Sequence, residues 1–365
     1  MSALAFYDLP IKRVTPEAAG SVAITFDVPA PLRDTFRFEP GQYLTLRAHV
    51  DGEELRRNYS ICSPRSRLER AGEIDIGIRP VQGGRFSNWA VRALTPGQRL
   101  AVLPPQGRFT VQRPRALHRV GFAAGSGITP ILSIAATTLE EQPHTKFTLV
   151  YGNRRTATIM FNEALQDLKD RYPDRFTMIH VLSRQAQEVD LLQGRLDEAK
   201  VRAIMDALLP PASMDEVFIC GPEAMIVATE RALLAAGVPA QRIHTERFTT
   251  GAAQAAKVQA DIDAASARAA AQAAARATIV LDGKEHEVPI PAGVPVLDAA
   301  LDAGLDLPYS CKGGVCSTCR AKVLAGQVAM ERNFGLTEAE VAAGFVLTCQ
   351  AHPVTPHLRL SFDDR

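Results

Sequence analysis

The sequence predicts a multidomain α/β + β chain. It has an all-β domain of the sandwich or barrel type, a parallel α/β domain, and a small β-rich domain built round four cysteines. Three observations predict this. Residues 1 to about 110 carry short apolar and β-branched runs separated by Pro40-Gly41, Asp51-Gly52 and Pro96-Gly97. Residues from about 115 to 248 alternate strand-like and helix-like runs. Near the C-terminus, Cys311, Cys316, Cys319 and Cys349 show the spacing C-x4-C-x2-C with a distant fourth cysteine, the ligand spacing of plant-type [2Fe–2S] centres.

A chain of 365 residues has room for two or three domains, and a hydrophobic fraction of 46% suffices for real cores. The net charge of +1 gives no field that would recruit nucleic acid or an anionic membrane. The first ten residues lack the basic region and long apolar core of a signal peptide. No apolar run is long enough to span a bilayer. Two of the six cysteines, Cys62 and Cys220, lie far apart in separate motifs, so no disulfide framework is expected. The expectation is a cytoplasmic protein with no membrane or nucleic-acid partner.

In the first domain (1–112), strands are expected at 21–28, 43–48, 74–79 and 99–103. Two stretches stand out. In Arg57-Asn58-Tyr59-Ser60, followed by Ile61-Cys62-Ser63, a cation, an aromatic face and a hydroxyl lie within four residues. On a strand, Arg57 and Tyr59 share a face and Ser60 points to the other. In Gly83-Gly84-Arg85-Phe86-Ser87-Asn88, glycines precede a hydroxyl at a helix start, with Ser87 as N-cap; such a terminus binds phosphate well. An ordinary surface Arg–Tyr pair is the plainer account of the first stretch.

In the second domain (113–248), a strand at 120–124 runs into Gly125-Ser126-Gly127-Ile128-Thr129-Pro130 and a helix to Leu139. Thr129 suits an N-cap and Pro130 the first helical position. Further strands are expected at 147–151, 176–182 and 217–220, and helices at 163–171, 197–209 and 222–236. This alternation argues for a parallel sheet, whose ligands bind at the C-terminal edge of the strands. The loop reads G-x-G-x-x-P and departs from the G-x-G-x-x-G fingerprint. A second piece, Cys220-Gly221-Pro222, ends another strand. A buried core thiol is the plainer account of Cys220. Arg154-Arg155 and Ser183-Arg184 follow the second and third strands of this domain. A hydroxyl and a guanidinium suit a 2′-phosphate, whereas an acidic residue would suit a free ribose hydroxyl, so NADPH is favoured over NADH.

Residues 249–276 are Ala-dominated and read as a partly helical linker. In the last domain (277–365), a hairpin turns at Asp282-Gly283, and a short helix at 296–303 ends at Gly304. A strand at 320–324 precedes a helix opened by a Thr337-x-x-Glu340 capping box, and strands follow at 345–350 and 357–362. Gly313 and Gly314 supply backbone angles that a Cβ would forbid in the cysteine loop, so that main-chain N–H groups can point at the cluster sulfurs. The alternatives are structural zinc and unliganded core thiols. Zinc sites favour two paired Cys motifs, and only one C-x2-C is present.

Together these motifs resemble the ferredoxin–NADP reductase superfamily joined to a plant-type ferredoxin. The resemblance rests on Arg57-Asn58-Tyr59-Ser60 (R-x-Y-S), Gly84 to Ser87 (G-x-x-S), the Gly125 to Pro130 loop, Cys220-Gly221-Pro222 and Leu347-Thr348-Cys349-Gln350. It covers nearly the whole chain except the linker, and the domain order is similar to that of reductase components of multicomponent bacterial oxygenases. It implies an antiparallel flavin-binding β-barrel, a parallel α/β nicotinamide-binding domain and a β-grasp [2Fe–2S] ferredoxin domain. Arg57 would pair with the phosphates of FAD, Tyr59 would pack on the isoalloxazine, and Ser60 would hydrogen-bond near its N5. Asn58, Gly84, Phe86 and Ser87 would complete the flavin site. Gly125, Ser126, Gly127, Thr129, Ser183, Arg184, Gly221 and Pro222 would hold the nicotinamide nucleotide. Cys220 would stand beside the nicotinamide, and Glu246 and Phe248 would border the flavin. The catalytic expectations are thus Tyr59, Ser60 and Cys220, and the metal ligands Cys311, Cys316, Cys319 and Cys349.

The implied activity passes electrons from NADPH through FAD and the cluster to a separate di-iron oxygenase. No E-x-x-H pair set of a di-iron helix bundle is apparent here. Two other readings stay open. One is a reductase serving a ring-hydroxylating or steroid oxygenase, some of which use FMN. The other is a non-catalytic redox sensor or scaffold, against which the intact flavin and nucleotide motifs speak.

Overall fold

A computed structural model describes residues 5–113, 116–248 and 275–364. The first sheet has the order β4-β3-β6-β1-β2-β5. Its strands are β1 (Tyr7–Pro16), β2 (Val22–Asp27), β3 (Tyr43–Val50), β4 (Glu53–Ser60), β5 (Glu73–Ile78) and β6 (Arg99–Val102). All its ladders are antiparallel, and a bridge between Ile61 and Ile76 joins the end of β4 to β5, which closes the ring into a barrel. Inward residues such as Leu9, Ile24, Phe26, Leu44 and Ile74 fill it. β1 has no apolar run to betray it: only Leu9 and Ile11 are buried, between polar neighbours. Two helices sit on the barrel, α1 (Arg65–Ala71), which the sequence pattern does not announce, and α2 (Arg85–Ala93).

The second sheet is wholly parallel, ordered β11-β10-β7-β8-β9. It comprises β7 (His118–Ala124), β8 (Lys146–Asn153), β9 (Phe176–Leu182), β10 (Glu216–Gly221) and β11 (Ile243–Arg247). The chain grows one way from β7 to β9 and then returns to β10 on the other side of β7. The crevice for a ligand therefore opens between the ends of β7 and β10. The helices are α3 (Ile128–Glu141), α4 (Asn162–Arg171), α5 (Glu198–Leu208) and α6 (Glu223–Ala235). β11 is half-buried along its length and too polar to read as a strand from sequence. α3 is sandwiched between this sheet and the barrel, where Ser133 donates to Ser63 O at 2.8 Å and Thr137 Oγ1 accepts from Arg65 N at 3.1 Å.

At the opposite, N-terminal edge of this sheet, Arg119 and Glu216 are both fully buried and bonded at 3.0 Å. Glu216 also accepts the Gln112 N–H at 2.7 Å, and Arg119 Nη2 donates to Arg113 O at 2.5 Å. The pair thus pins the segment entering from the barrel.

The third sheet is ordered β13-β12-β18-β14-β16, with a small ladder β15-β17 beside it. Its strands are β12 (Ala275–Leu281), β13 (Lys284–Ile290), β14 (Arg320–Ala325), β15 (Val328–Met330), β16 (Phe345–Leu347), β17 (Ala351–Pro353) and β18 (His357–Ser361). α7 (Val296–Asp302) packs on it, and α8 (Glu338–Ala342) opens with the expected Thr337–Glu340 capping box. β12 begins two residues inside the stretch expected as linker; the rest of that stretch, 249–274, lies outside the described residues. The strand expected at 345–350 breaks after Leu347, because the chain turns there to present Cys349 and re-enters a different ladder as β17. Among the described residues, no helix is long and apolar enough to cross a membrane.

Candidate functional site

β4 is polar on both faces, and the faces do different things. Arg57 and Tyr59 share one. Arg57 is exposed, its Nη1 resting on Arg56 O at 2.7 Å. Tyr59 is half-buried against Phe86, with ring centroids 5.8 Å apart, and burial pushes its phenol up. Phe86 is 1% exposed and is also packed by Trp89. Its side chain therefore belongs to the barrel core and backs Tyr59.

The helix start beside this face also differs in detail from expectation. Gly84, not Ser87, is the N-cap of α2, and Ser87 is its third residue. The glycine turn supplies the extended cap conformation, and the Ser87 hydroxyl folds back to accept the Val81 N–H at 3.2 Å. That leaves its own proton free to donate, at the positive end of a nine-residue helix. A flavin with an anionic phosphate tail fits this combination of cation, flat ring, hydroxyl and helix terminus.

At the crevice between β7 and β10, Gly127 meets the end of the second motif. A Cβ on Gly127 would lie 2.1 Å from Cys220 O, so a side chain there would force the loop away from β10. Gly221 is less tightly held, since a Cβ there would lie 2.8 Å from the flexible end of Met225 and 3.2 Å from Ala124 N. Thr129 is expected as a cap, but a 3-10 turn at Gly125–Gly127 runs directly into α3. Thr129 is thus the second residue of the helix, and its hydroxyl donates to Ser126 O at 3.0 Å. Tyr151, which no motif singles out, supports the loop from below by donating to Gly125 O at 2.8 Å. Cys220 is fully buried, and burial pushes its thiol well up. Farther along the edge, Ser183 N donates to Asn153 O at 2.9 Å and Arg184 N to Arg154 O at 2.8 Å. This zips the two loops together, with Arg154, Arg155 and Arg184 exposed on them.

The four cysteines gather beneath the third sheet. Among the described residues, no three His, Cys, Asp or Glu side chains surround one point as a single-ion site would. The thiols lie two and two, Cys316 near enough to Cys311, and Cys349 to Cys319, to shift its neighbour's titration. Two ligands for each of two irons is what a binuclear cluster requires. The Cys316 thiol, assisted by backbone N–H groups, lowers the Cys311 thiol, and Gly313 N lies 3.3 Å from its sulfur. The left-handed positions of the loop are Lys312, Gly314 and Ser317, so Gly313 does not need the freedom expected of it. At Gly314 a Cβ would press on Arg332 O and Gln350 Cγ at 3.1 Å. The Thr348 hydroxyl donates to Cys319 O at 2.8 Å and so carries the fourth ligand to the third.

The other face of β4 meets this cysteine loop. Asn58, expected at the cofactor, points here because it alternates with Arg57 and Tyr59; its Oδ1 accepts from Thr45 at 2.8 Å and from the Ser310 hydroxyl. Arg56 Nη2 bonds Asp306 at 3.0 Å, and its guanidinium lies 4.3 Å over the Tyr309 ring. Ser60, also buried, lies farther along this face. From β3, Tyr43 donates to Cys316 O at 2.5 Å, and Arg108 pairs with Glu340 and reaches Ser317 at 3.2 Å. The sequence does carry a signal for this interface: a strand reading R-R-N-Y-S needs polar partners on both sides.

A cavity of about 860 Å³ lies where the three sheets meet, lined by Tyr43, Arg108, Glu246, Arg247, Cys316 and Phe334 among others. Glu246, in register with Cys220, is pushed up to about 8 by burial and then by the nearby Cys311 charge.

Each of the three domains matches a known protein family. Models of an oxidoreductase FAD-binding domain, an oxidoreductase NAD-binding domain and a 2Fe-2S iron-sulfur cluster binding domain match residues 10–111, 122–231 and 279–354. The chain is 46% identical to a subunit of the 1,2-phenylacetyl-CoA epoxidase of Escherichia coli (strain K12), over 98% of both chains. It is 36% identical to the ferredoxin reductase component of a 3-ketosteroid-9-alpha-monooxygenase from Rhodococcus rhodochrous, over 97% of this chain and 96% of that one. Its fold is similar to that of phthalate dioxygenase reductase, with a TM-score of 0.59 at 22% identity over 98% of both chains. It is also similar to part of an intact type IV self-sufficient cytochrome P450 monooxygenase, with a TM-score of 0.67 at 22% identity; the match covers 97% of this chain and 41% of that longer one.

Proposed function

This chain belongs to the family of oxygenase reductase components that join an FAD-binding, an NAD-binding and a [2Fe–2S] domain in one polypeptide, and from that premise we propose that it draws electrons from NADPH and delivers them to a di-iron oxygenase acting on phenylacetyl-CoA. The identity of 46% along the whole length to an epoxidase component carries the choice of acceptor. The six free cysteines suit a cytoplasmic setting.

Bound FAD accepts electrons in pairs and releases them singly, which matches the one-electron capacity of a [2Fe–2S] centre. The residues of the chain bind and orient. Arg57 offers a cation to the flavin phosphates, while Ser87 and the α2 terminus offer hydrogen-bond donors. Tyr59 presents a flat face held in place by Phe86, and Ser60 a hydroxyl at the end of the strand. Gly127 lets the nucleotide loop pack tightly against the end of β10, and the buried Cys220 shapes the floor under the nicotinamide. Arg184 and Ser183 receive the 2′-phosphate.

Two substitutions test the binding roles. Arg57→Ala should weaken flavin affinity about tenfold or more, the worth of one charge-assisted hydrogen bond, so the protein should lose colour on purification. Normal affinity measured by fluorescence titration would remove Arg57 from the site. Arg184→Ala should raise KM for NADPH about tenfold and leave KM for NADH nearly unchanged. Equal effects on both would dismiss the 2′-phosphate role.

The acceptor is tested by reconstitution. With NADPH, the purified chain should support turnover by a phenylacetyl-CoA epoxidase and not by a 3-ketosteroid hydroxylase. The reverse preference would replace the proposed acceptor with the steroid enzyme.

A further inference from the structure

The contacts on the second face of β4 form a clamp, whose significance rests on the reading above that the flavin lies against Arg57 and Tyr59. Arg56 is only 6% exposed. A buried cation is tolerated only where it is paired and hydrogen-bonded, and Arg56 is: Glu54 lies at 2.9 Å, Asp306 at 3.0 Å and the Leu307 carbonyl at 3.4 Å. Asn58 accepts two hydroxyl protons, one from its own barrel and one from Ser310, the neighbour of Cys311. These bonds seize the N-terminal side of the ligand loop. Tyr43 bonds Cys316 O and approaches Thr318 at 3.2 Å, and so seizes the other side. The loop is thus gripped at both ends by the strands next to the flavin motif. The α/β domain offers it less: Arg247 stands 5.7 Å from the Phe334 ring.

We propose that β4 is a shared positioning strand, whose Arg56 and Asn58 hold the cluster's ligand loop in fixed register with Arg57 and Tyr59 on the opposite face. Alternation along a single strand then sets the separation of the two redox groups more rigidly than domain docking alone. Transfer of a single electron falls steeply with separation, so a loosened grip slows that step without touching the steps on either side. Arg56 and Ser310 are positioning residues: they act through the loop, not on a cofactor.

The test uses the full chain carrying both cofactors and compares Arg56→Gln, Ser310→Ala and Ser310→Thr. Amide hydrogen exchange across 306–318 should rise about tenfold in Arg56→Gln and Ser310→Ala, with Ser310→Thr close to wild type because it keeps the hydroxyl. In stopped-flow mixing with NADPH, bleaching of the flavin should keep its wild-type rate. Reduction of the cluster, in which one ferric iron gains one electron drawn from NADPH, should slow about tenfold, equivalent to about 1.4 kcal/mol in the barrier. Should Ser310→Ala fail to assemble a cluster, Arg56→Gln, whose side chain meets Asp306, Leu307 and Tyr309 and has no hydrogen bond to a cysteine ligand, decides the matter. Unchanged exchange in Arg56→Gln, or faster exchange with an unchanged rate of cluster reduction, would overturn the proposal. A wild-type protein that showed no flavin bleaching or no cluster absorption would instead overturn the functional reading on which it rests.

Discussion

Cys316→Ser should give a yellow protein that NADPH still bleaches but whose reduction of cytochrome c falls to background. Cys316 shares one end of the site with Cys311, and its carbonyl is tied to the barrel by Tyr43. A serine hydroxyl keeps that backbone bond but does not supply a thiolate, and ligation at that iron fails. The flavin and nucleotide sites lie on other elements and stay intact. Visible absorption of the cluster should vanish, along with the paramagnetic signal of its reduced form. Cytochrome c reduction at the wild-type rate would show that electrons leave from the flavin directly, and the order of transfer would have to be rewritten.

Arg119→Met should cost about 3–5 kcal/mol of stability, since it strands a carboxylate in the interior. Arg119 and Glu216 have no exposed surface. Burial raises the pKa of Glu216, but bonds from His244, the Gln112 N–H and Arg119 outweigh this and hold it below its ordinary value. A carboxylate with a depressed folded-state pKa stabilises the protein above its unfolded pKa, and that contribution is lost as pH falls through the folded value. The wild type should therefore keep this contribution in mild acid. Arg119→Met removes a group that holds Glu216 down, so its deficit should be largest near neutral pH and shrink as falling pH protonates the stranded carboxyl. Chemical denaturation at several pH values reads both effects. The double variant Arg119→Met/Glu216→Leu should recover much of the loss, because no unpaired charge remains. A single variant as stable as wild type would mean that water reaches Glu216.

Much of this molecule is legible in its sequence where one physical requirement dominates a stretch. The inner parallel strands β7, β8 and β10 announce themselves because both faces are buried, and the edge strand β9 falls at 176–182 as read. The Thr337–Glu340 box likewise gives the start of α8. What stays hidden depends on partners distant in sequence. β1 and β11 are half-polar strands settled by pairing with distant segments, β1 between β6 and β2 and β11 at the edge beside β10. Ser87 and Thr129 suit caps by type, yet each lies inside the first turn of its helix because a glycine turn comes first. The two roles of β4 are masked because the flavin motif explains Arg57 and Tyr59 and leaves Arg56 and Asn58 without an evident task.

That double-sided strand bears on how such reductases can be rebuilt. The three units look like interchangeable parts, and a chimera joining this barrel to the iron–sulfur unit of a relative would retain every cofactor motif. It would still lack a matched seam. A donor unit without counterparts to Asp306, Tyr309 and Ser310 would take away the contacts Arg56 and Asn58 make across the seam and leave the buried Arg56 to Glu54 on its own strand. Grafts should exchange the edge strand together with the unit it grips.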